Sequence, residues 1–398
     1  MLRGYILGFK KPDKETRYGS AELIISKTHN LLIDGYCEEG ANSLIAYLKK
    51  RKLKELYIAA THTHYDHTDG IRKIIKDSYF VIKTLFCYDP KTLEAGLGTN
   101  RGSVKARKDM NSLISLINEA KARGIKVVYL KHGDKVELGD IKFNVYREQP
   151  TKVADDDTEA YSYINDGSLC FYFPEINYWT SGDGCEKIYD FIQKINANKK
   201  DGDDDVVVKF FQIPHHGNNC NNPQSRGMKA QGARVCWYND LEPNGIGTEE
   251  FTAYGARRCK QNGITVLDCV GDINWLAMGG KMYIYHYGKQ VDSYACSYSG
   301  KSRLKYATAD IVRKVFEGKY GNSDARVTNL LDDGYYYAST QKKVSTVVNV
   351  AKDIIAKKVN YGTNEQRITN LDNKYGVGYG QLIQDEINSL LKSKLAKW

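Results

Sequence analysis

Three histidines and two aspartates crowd into residues 61–70, as His62, His64, Asp66, His67 and Asp69, in a chain with only eight histidines over 398 residues. Imidazole and carboxylate side chains at such spacing are the donors that a divalent ion such as zinc takes from a protein. The preceding run of Leu56, Tyr57, Ile58, Ala59 and Ala60 is apolar and reads as a strand, so the cluster begins where a strand ends. His62 and His64 alternate about Thr63 and project the same way from extended backbone, whereas Asp66 and His67 fall on the turn that follows. The spacing therefore offers two pairs of donors to two neighbouring ions, at a separation suited to a bridging water or hydroxide.

Read together, His62, His64, Asp66 and His67 match an H-x-H-x-D-H signature without gaps, and here the chain resembles the metallo-β-lactamase superfamily. The resemblance implies further ligands from later strand ends. The run Tyr178, Trp179, Thr180 leads to Gly182 and Asp183, and the resemblance makes Asp183 the carboxylate that bridges both ions. The β-branched and aromatic run from Val206 to Pro214 ends in His215 and His216. One of this pair is expected to close the second ion site; the other is expected to orient a ligand or give a proton to the leaving group. Neighbours on a strand face opposite ways, and the sequence leaves open which is which. Asp66, His215 and His216 are thus catalytic candidates as well as ligands. The implied cofactor is zinc, one or two ions per chain, with manganese or iron as alternatives.

Most members of that superfamily supply another ligand histidine between the first motif and the bridging aspartate. This chain has only His132 there, in a Lys-His-Gly-Asp turn, and at the expected place stand Asn165 and Ser168. The order Asn-x-x-Ser, strand, Gly-Asp, strand, His-His-Gly is similar to the nuclease-type domain of the competence protein ComEC and its soluble relatives. That likeness covers about residues 1–290 and extends to Asp34-Gly35 and to Gly271-Asp272-Ile273. It implies a more open first ion site, with a one-ion enzyme as an option. Asp34 is expected either to support the ligands from beneath or to make a simple turn. Asp69 reads as the cap of a helix starting at Gly70, Tyr65 as a cleft residue, and His29 and His286 as structural.

The last hundred residues contain an internal repeat. Tyr320-Gly321, Arg326 and Thr328-Asn329-Leu330 recur, after a two-residue insertion, as Tyr361-Gly362, Arg367 and Thr369-Asn370-Leu371. Helical patterns flank each copy, with Ile311, Val312, Val315 and Phe316 before the first and Val350, Ala351, Ile354 and Ile355 before the second. Gln341 and Val344 after the first correspond to Gln384 and Ile387 after the second. Units of this size are too small to be enzymes alone. They resemble the CW_7 wall-binding repeats of phage lysozymes, which implies recognition of peptidoglycan fragments. Arg326, Arg367, Tyr320, Tyr335 and Tyr361 are then the candidates for contact with sugar or peptide. The other reading is that the arginines bridge helices inside each repeat.

A net charge of +10 suits anionic partners, among them wall polymers and nucleic acid. No apolar run approaches the roughly 18 residues of a membrane span, and the N-terminus shows no long apolar region of the secretory kind. Nine scattered cysteines without CxxC spacing suggest reduced thiols. The protein is expected to be made in the cytoplasm and to act at the cell wall, or outside after lysis. The predicted architecture is α/β: an αββα sandwich over 1–290, a Ser-rich linker over 291–305, and two all-α repeats over 306–348 and 349–398. The predicted activity is that of a metal-dependent hydrolase held on the wall, cleaving a phosphodiester in a teichoic-acid-like polymer. The alternatives are a nuclease acting on DNA, an amide or ester hydrolase including lactam or lactone opening, and an inactive wall-binding adaptor.

Overall fold

The computed structural model describes the chain except for residues 9–18, 151–156, 185–186, 201, 218–222, 240–253, 270–271, 301–303 and 396–398. It divides into two compact units, residues 1–287 with 291–302, and residues 288–290 with 303–398. Its strands are β1 (Leu2–Ile6), β2 (Glu22–Ile25), β3 (Asn30–Ile33), β4 (Glu55–Ala59), β5 (Val81–Cys87), β6 (Lys126–Tyr129), β7 (Lys135–Leu138), β8 (Ile141–Tyr146), β9 (Cys170–Phe173), β10 (Tyr178–Thr180), β11 (Phe210–Gln212), β12 (Val235–Tyr238), β13 (Thr265–Asp268), β14 (Ile273–Met278), β15 (Lys281–His286) and β16 (Lys289–Ala295).

They form a nine-stranded sheet, β16-β15-β14-β1-β2-β3-β4-β5-β6, and a seven-stranded sheet, β13-β12-β11-β10-β9-β8-β7. In each sheet a parallel run abuts an antiparallel one: β3 to β6 are parallel, and so are β10 to β13. The sequence accounts for the difference. Leu31, Leu32 and Ile33 in β3 and Phe210, Phe211 and Gln212 in β11 are all buried, as strands covered on both faces require. By contrast β8 alternates buried Ile141, Phe143 and Val145 with half-buried partners. One cluster fills the space between the sheets and under the helices Glu38–Lys50, Tyr65–Lys76 and Arg101–Ala122, with Ile58, Phe143, Phe171, Phe210 and Trp275 beside Leu44, Ile74 and Leu113. A second cluster joins Trp179 and Phe211 on the far face of the smaller sheet to Ile192, Met228 and Cys259 on outer helices. The result is the αββα layering.

Beneath the ends of β10 and β11 lies a polar network inside this apolar core. Glu22 of β2 is 3% exposed and accepts a hydrogen bond from the Tyr178 hydroxyl, whose oxygen accepts from Trp237 Nε1 at 3.0 Å. Thr180 Oγ1 contacts Glu22 Oε1 and lies 2.8 Å from Gln212 Oε1, which also accepts from the Ser181 N–H at 2.9 Å. Thr180 has one hydroxyl proton. That proton is offered to two acceptors, Glu22 Oε1 and Gln212 Oε1, which compete for it. Burial pushes Glu22 up to about 7, against the hydrogen bonds from Thr180 and Tyr178, which favour the ionised form.

Two expectations are corrected here. The helix after the first motif runs Tyr65–Lys76 and is capped at His64, so Asp69 lies inside it rather than at its start. Gly70 lets that helix approach: a Cβ there would fall 1.7 Å from the Gly35 carbonyl oxygen, and the Gly70 N–H donates to Tyr36 O at 3.0 Å. The segment read as a linker carries β16 through Ala295, an edge strand paired into the larger sheet; its residues 301–303, and Gly271 ahead of β14, lie outside the described residues.

The second unit contains the helices Ala309–Phe316, Ser323–Asp332, Tyr337–Ile355, Asn364–Tyr375 and Tyr379–Leu395. The helical pattern that follows the first copy and the one that precedes the second are a single 19-residue helix, Tyr337–Ile355, so the 348/349 boundary falls within it. Val344, Val347 and Ala351 along this helix are buried, as are Ile311, Val312, Leu330, Leu371, Ile383 and Ile387 on the others.

A carboxyl raised in the folded state from 4.5 to about 7 contributes stability that is complete below about pH 4.5 and is lost as the pH rises through about 7. Glu22→Gln cannot ionise. Its stability relative to wild type, measured by urea unfolding, is expected to improve by roughly 2–3 kcal/mol between about pH 5 and pH 8. A constant difference across that range would show Glu22 ionised throughout.

Candidate metal centre

The site is assembled at the carboxyl-terminal ends of parallel strands from both sheets. Asp34 follows β3, residues 61–67 follow β4, Asp183 follows β10, and His215 and His216 follow β11. The strand β4 delivers Thr61 and His62, the backbone turns at His64, and the first helical turn then presents Asp66 and His67. A carboxylate in that turn also complements the helix dipole.

The side chains converge in two groups of donors that share Asp183, all buried but the half-buried His64: Asp66, His67, Asp183 and His216 in one, and His62, His64 and Asp183 in the other, each group within 4.8 Å. In the first group His67 Nε2 lies 3.1 Å from Asp183 Oδ1, and His216 Nε2 lies 3.1 Å from Asp66 Oδ2 and 3.4 Å from Asp183 Oδ1. In the second, His62 Nε2 is 3.1 Å from His64 Nδ1 and 3.6 Å from Asp183 Oδ2. Asp183 thus turns one oxygen to each group.

Outer partners fix which ring nitrogen faces inward. His67 Nδ1 donates to Asp34 Oδ2 at 2.7 Å, and His216 Nδ1 donates to the Asn239 carbonyl at 3.0 Å. The Thr61 hydroxyl donates to Asp34 Oδ2 at 2.8 Å and so accepts from His62 Nδ1 at 3.1 Å. In each case Nε2 is turned toward the group, as in metal-bound imidazoles, and an ion bound there would displace any proton it carries. Asp34 also accepts from the Thr61 N–H at 2.8 Å, which places it beneath both pairs of the first motif.

The electrostatics are those of a cluster that needs cations. Burial would raise Asp66 and Asp183, yet both are held below the usual carboxylate range, Asp66 first by His67 and Asp183 first by His216. Burial would lower His216, but Asp183 and Asp66 push it up to about 9; His67 is raised in the same way by Asp183, Asp34 and Asp66. His62 and His64 are lowered, mainly by burial. Among the described residues, His67 Nε2, Asp183 Oδ1 and His216 Nε2 are buried and meet no hydrogen-bonding geometry, though they face one another in close ion pairs. A donor set of imidazoles and carboxylates arranged in this way fits divalent ions.

The structure separates the His215 and His216 pair. Both lie in the left-handed region, with φ of 49° and 55°, so strand alternation does not govern them. His216 enters the four-residue group, while His215 Nε2 sits 3.4 Å from Asn165 Nδ2. His132 is remote, an exposed turn residue whose Nδ1 contacts the Arg147 backbone. Tyr65 is 64% exposed beside the cluster. Thr61 and Asn239 belong to the site but carried no signal at the sequence level, since one acts through a hydroxyl and the other through a backbone carbonyl.

In the repeats, Arg326 Nε donates to Gly321 O at 3.0 Å and Nη1 to Gln341 Oε1 at 3.1 Å. Arg367 does the same to Gly362 O at 2.9 Å and Gln384 Oε1 at 3.1 Å. The arginines therefore bridge helices within each repeat. Tyr320 is buried, whereas Tyr335 and Tyr361 keep part of their surface.

Two facing sheets, outer helices and donors gathered at strand ends define a protein of the metallo-β-lactamase fold. Residues 309–348 match the CW_7 repeat. Similar solved structures include the metallo-β-lactamase fold protein YhfI from Bacillus subtilis, 12% identical, covering 69% of this chain and 98% of that one at a TM-score of 0.41. A diphosphatase of the PhnP family is 12% identical over 67% of this chain and 95% of its own, with a TM-score of 0.37. A flavo di-iron protein from Thermotoga maritima is 17% identical over 41% and 32%, with a TM-score of 0.27. At these identities the likeness is one of fold alone. No curated protein matches the chain.

Removing a partner that orients a ligand typically weakens metal binding by about 10–100-fold. Asp34→Ala is expected to lose affinity in that range in a metal titration of the chelator-treated protein, although Asp34 is no ligand itself. His216→Ala is expected to lose an ion outright. Unchanged isotherms for both variants would remove these residues from the centre.

Proposed function

We propose that the protein is a metal-dependent hydrolase cleaving phosphodiesters of an anionic wall polymer, held at the cell wall by its repeats. The observation that carries the reading is the pair of donor groups sharing Asp183. Divalent ions bound there would supply Lewis acidity and an activated water. His62, His64, Asp66, His67, Asp183 and His216 would hold them; Asp34, Thr61 and Asn239 keep the imidazoles turned inward. His215, beside the groups but in neither, is the side chain we assign to the leaving-group proton. The match to the CW_7 repeat supports wall binding, and the net charge of +10 supports an anionic substrate. We assign wall contact to Tyr335 and Tyr361, with Arg326 and Arg367 as the braces that shape that surface.

Hydrolysis of bis(p-nitrophenyl) phosphate is expected from the metal-loaded protein, to vanish with chelator, and to fall by at least about 100-fold in Asp66→Ala and Asp183→Ala. Stoichiometric metal without turnover would sink the phosphodiesterase reading in favour of amide or ester substrates. Sedimentation with purified walls is expected for the full chain and is expected to be lost on deletion of residues 303–398.

A further inference from the structure

The two donor groups are unequal. Among the described residues one has four histidine or carboxylate donors and the other three, His62, His64 and Asp183. Asn165 stands beside His215, and its backbone oxygen lies beside Gly184, next to the shared Asp183. It lies in the last turn of the helix Asp157–Asp166, is 4% exposed, and has a side-chain oxygen that is buried without a hydrogen-bond partner. Its Nδ2 lies 3.4 Å from His215 Nε2, so one end of the carboxamide is held while the other is unmatched. A buried carbonyl oxygen in that condition is rare in a folded protein and calls for an explanation.

The chain that follows is strapped to both flanks of the three-donor group. The Leu169 N–H donates to the Thr61 carbonyl at 2.9 Å, next to His62. On the other side a Cβ at Gly184 would fall 2.6 Å from the Asn165 backbone oxygen, next to Asp183. Only a glycine at 184 allows this approach, which holds the Asn165 backbone beside the residue that follows Asp183. We propose that Asn165 Oδ1 is the fourth protein donor of this group, completing a set of two imidazoles, a shared carboxylate and an amide oxygen. The proposal rests on the metal-centre reading above. A neutral oxygen donor makes this position harder than an all-imidazole one and shifts its preference toward manganese relative to zinc. With one carboxylate against two, it is also the weaker of the two positions, so ions load in two steps.

The test is a calorimetric titration of chelator-treated full-length protein with Mn2+ and, separately, Zn2+. Wild type is expected to take up two equivalents in two steps. Asn165→Ala is expected to keep the first step and to lose the second or weaken it at least tenfold; the retained first step shows that the variant is folded. Asn165→Asp, the same shape with a charged oxygen, is expected to tighten the second step. Identical two-step isotherms for wild type and Asn165→Ala overturn the proposal. So does a single equivalent in wild type, because the three-donor group then holds no ion. No uptake by wild type at all overturns the metal-centre reading itself.

Discussion

Three carboxylates, Asp34, Asp66 and Asp183, are buried beside the imidazoles of His62, His67 and His216 at the ends of four strands. Burying charge is costly unless every charge is paired or bonded. The surrounding fold is arranged to meet that constraint. Asp34 spends both oxygens on three hydrogen bonds from Thr61 and His67, and Asp183 divides its oxygens between two donor groups. His67 and His216 are pushed toward the cationic form by the same carboxylates. Ions entering the groups would take over that role and displace the protons.

The sheets explain how side chains distant in sequence reach one place. Parallel strands point their carboxyl-terminal ends the same way, and the parallel runs of the two sheets, β3 to β6 and β10 to β13, bring Asp34, His62, Asp183 and His216 to a common edge. Below that edge Glu22 ties β2 of one sheet to β10 of the other through Tyr178 and Thr180. The tie lies three residues from Asp183. The interior that carries the bridging carboxylate is thereby pinned by polar contacts as well as by apolar packing.

Much of this was legible in the sequence, for reasons that differ by residue. His62, His64, Asp66 and His67 are close in the chain, so their spacing alone groups them, and Asp183 and His215-His216 stand at the ends of recognisable apolar runs. The start of the helix Tyr65–Lys76 was misplaced because Asp69 is a good capping residue, whereas the actual cap, His64, makes no side-chain capping bond. Strand alternation could not sort His215 from His216 because both residues adopt positive φ. The Ser-rich residues after 290 looked like a linker because edge strands tolerate polar side chains. Arg326 and Arg367 were visible as a repeat, but a repeated arginine reads the same way whether it faces a ligand or a carbonyl of its own fold.

The helix Tyr337–Ile355 closes the first repeat and opens the second. The repeats also pack on one another, with Arg313 Nη1 3.4 Å from Asp385 Oδ2 and Lys343 Nζ over the Tyr379 ring, so the second repeat is fixed against the first rather than hung on a tether. A flexible tether would let the second contact be searched for over a volume set by its length; a packed pair fixes the span and admits only receptors whose own spacing matches. On a polymer with a regular repeat, such a gauge reads periodicity as well as chemistry.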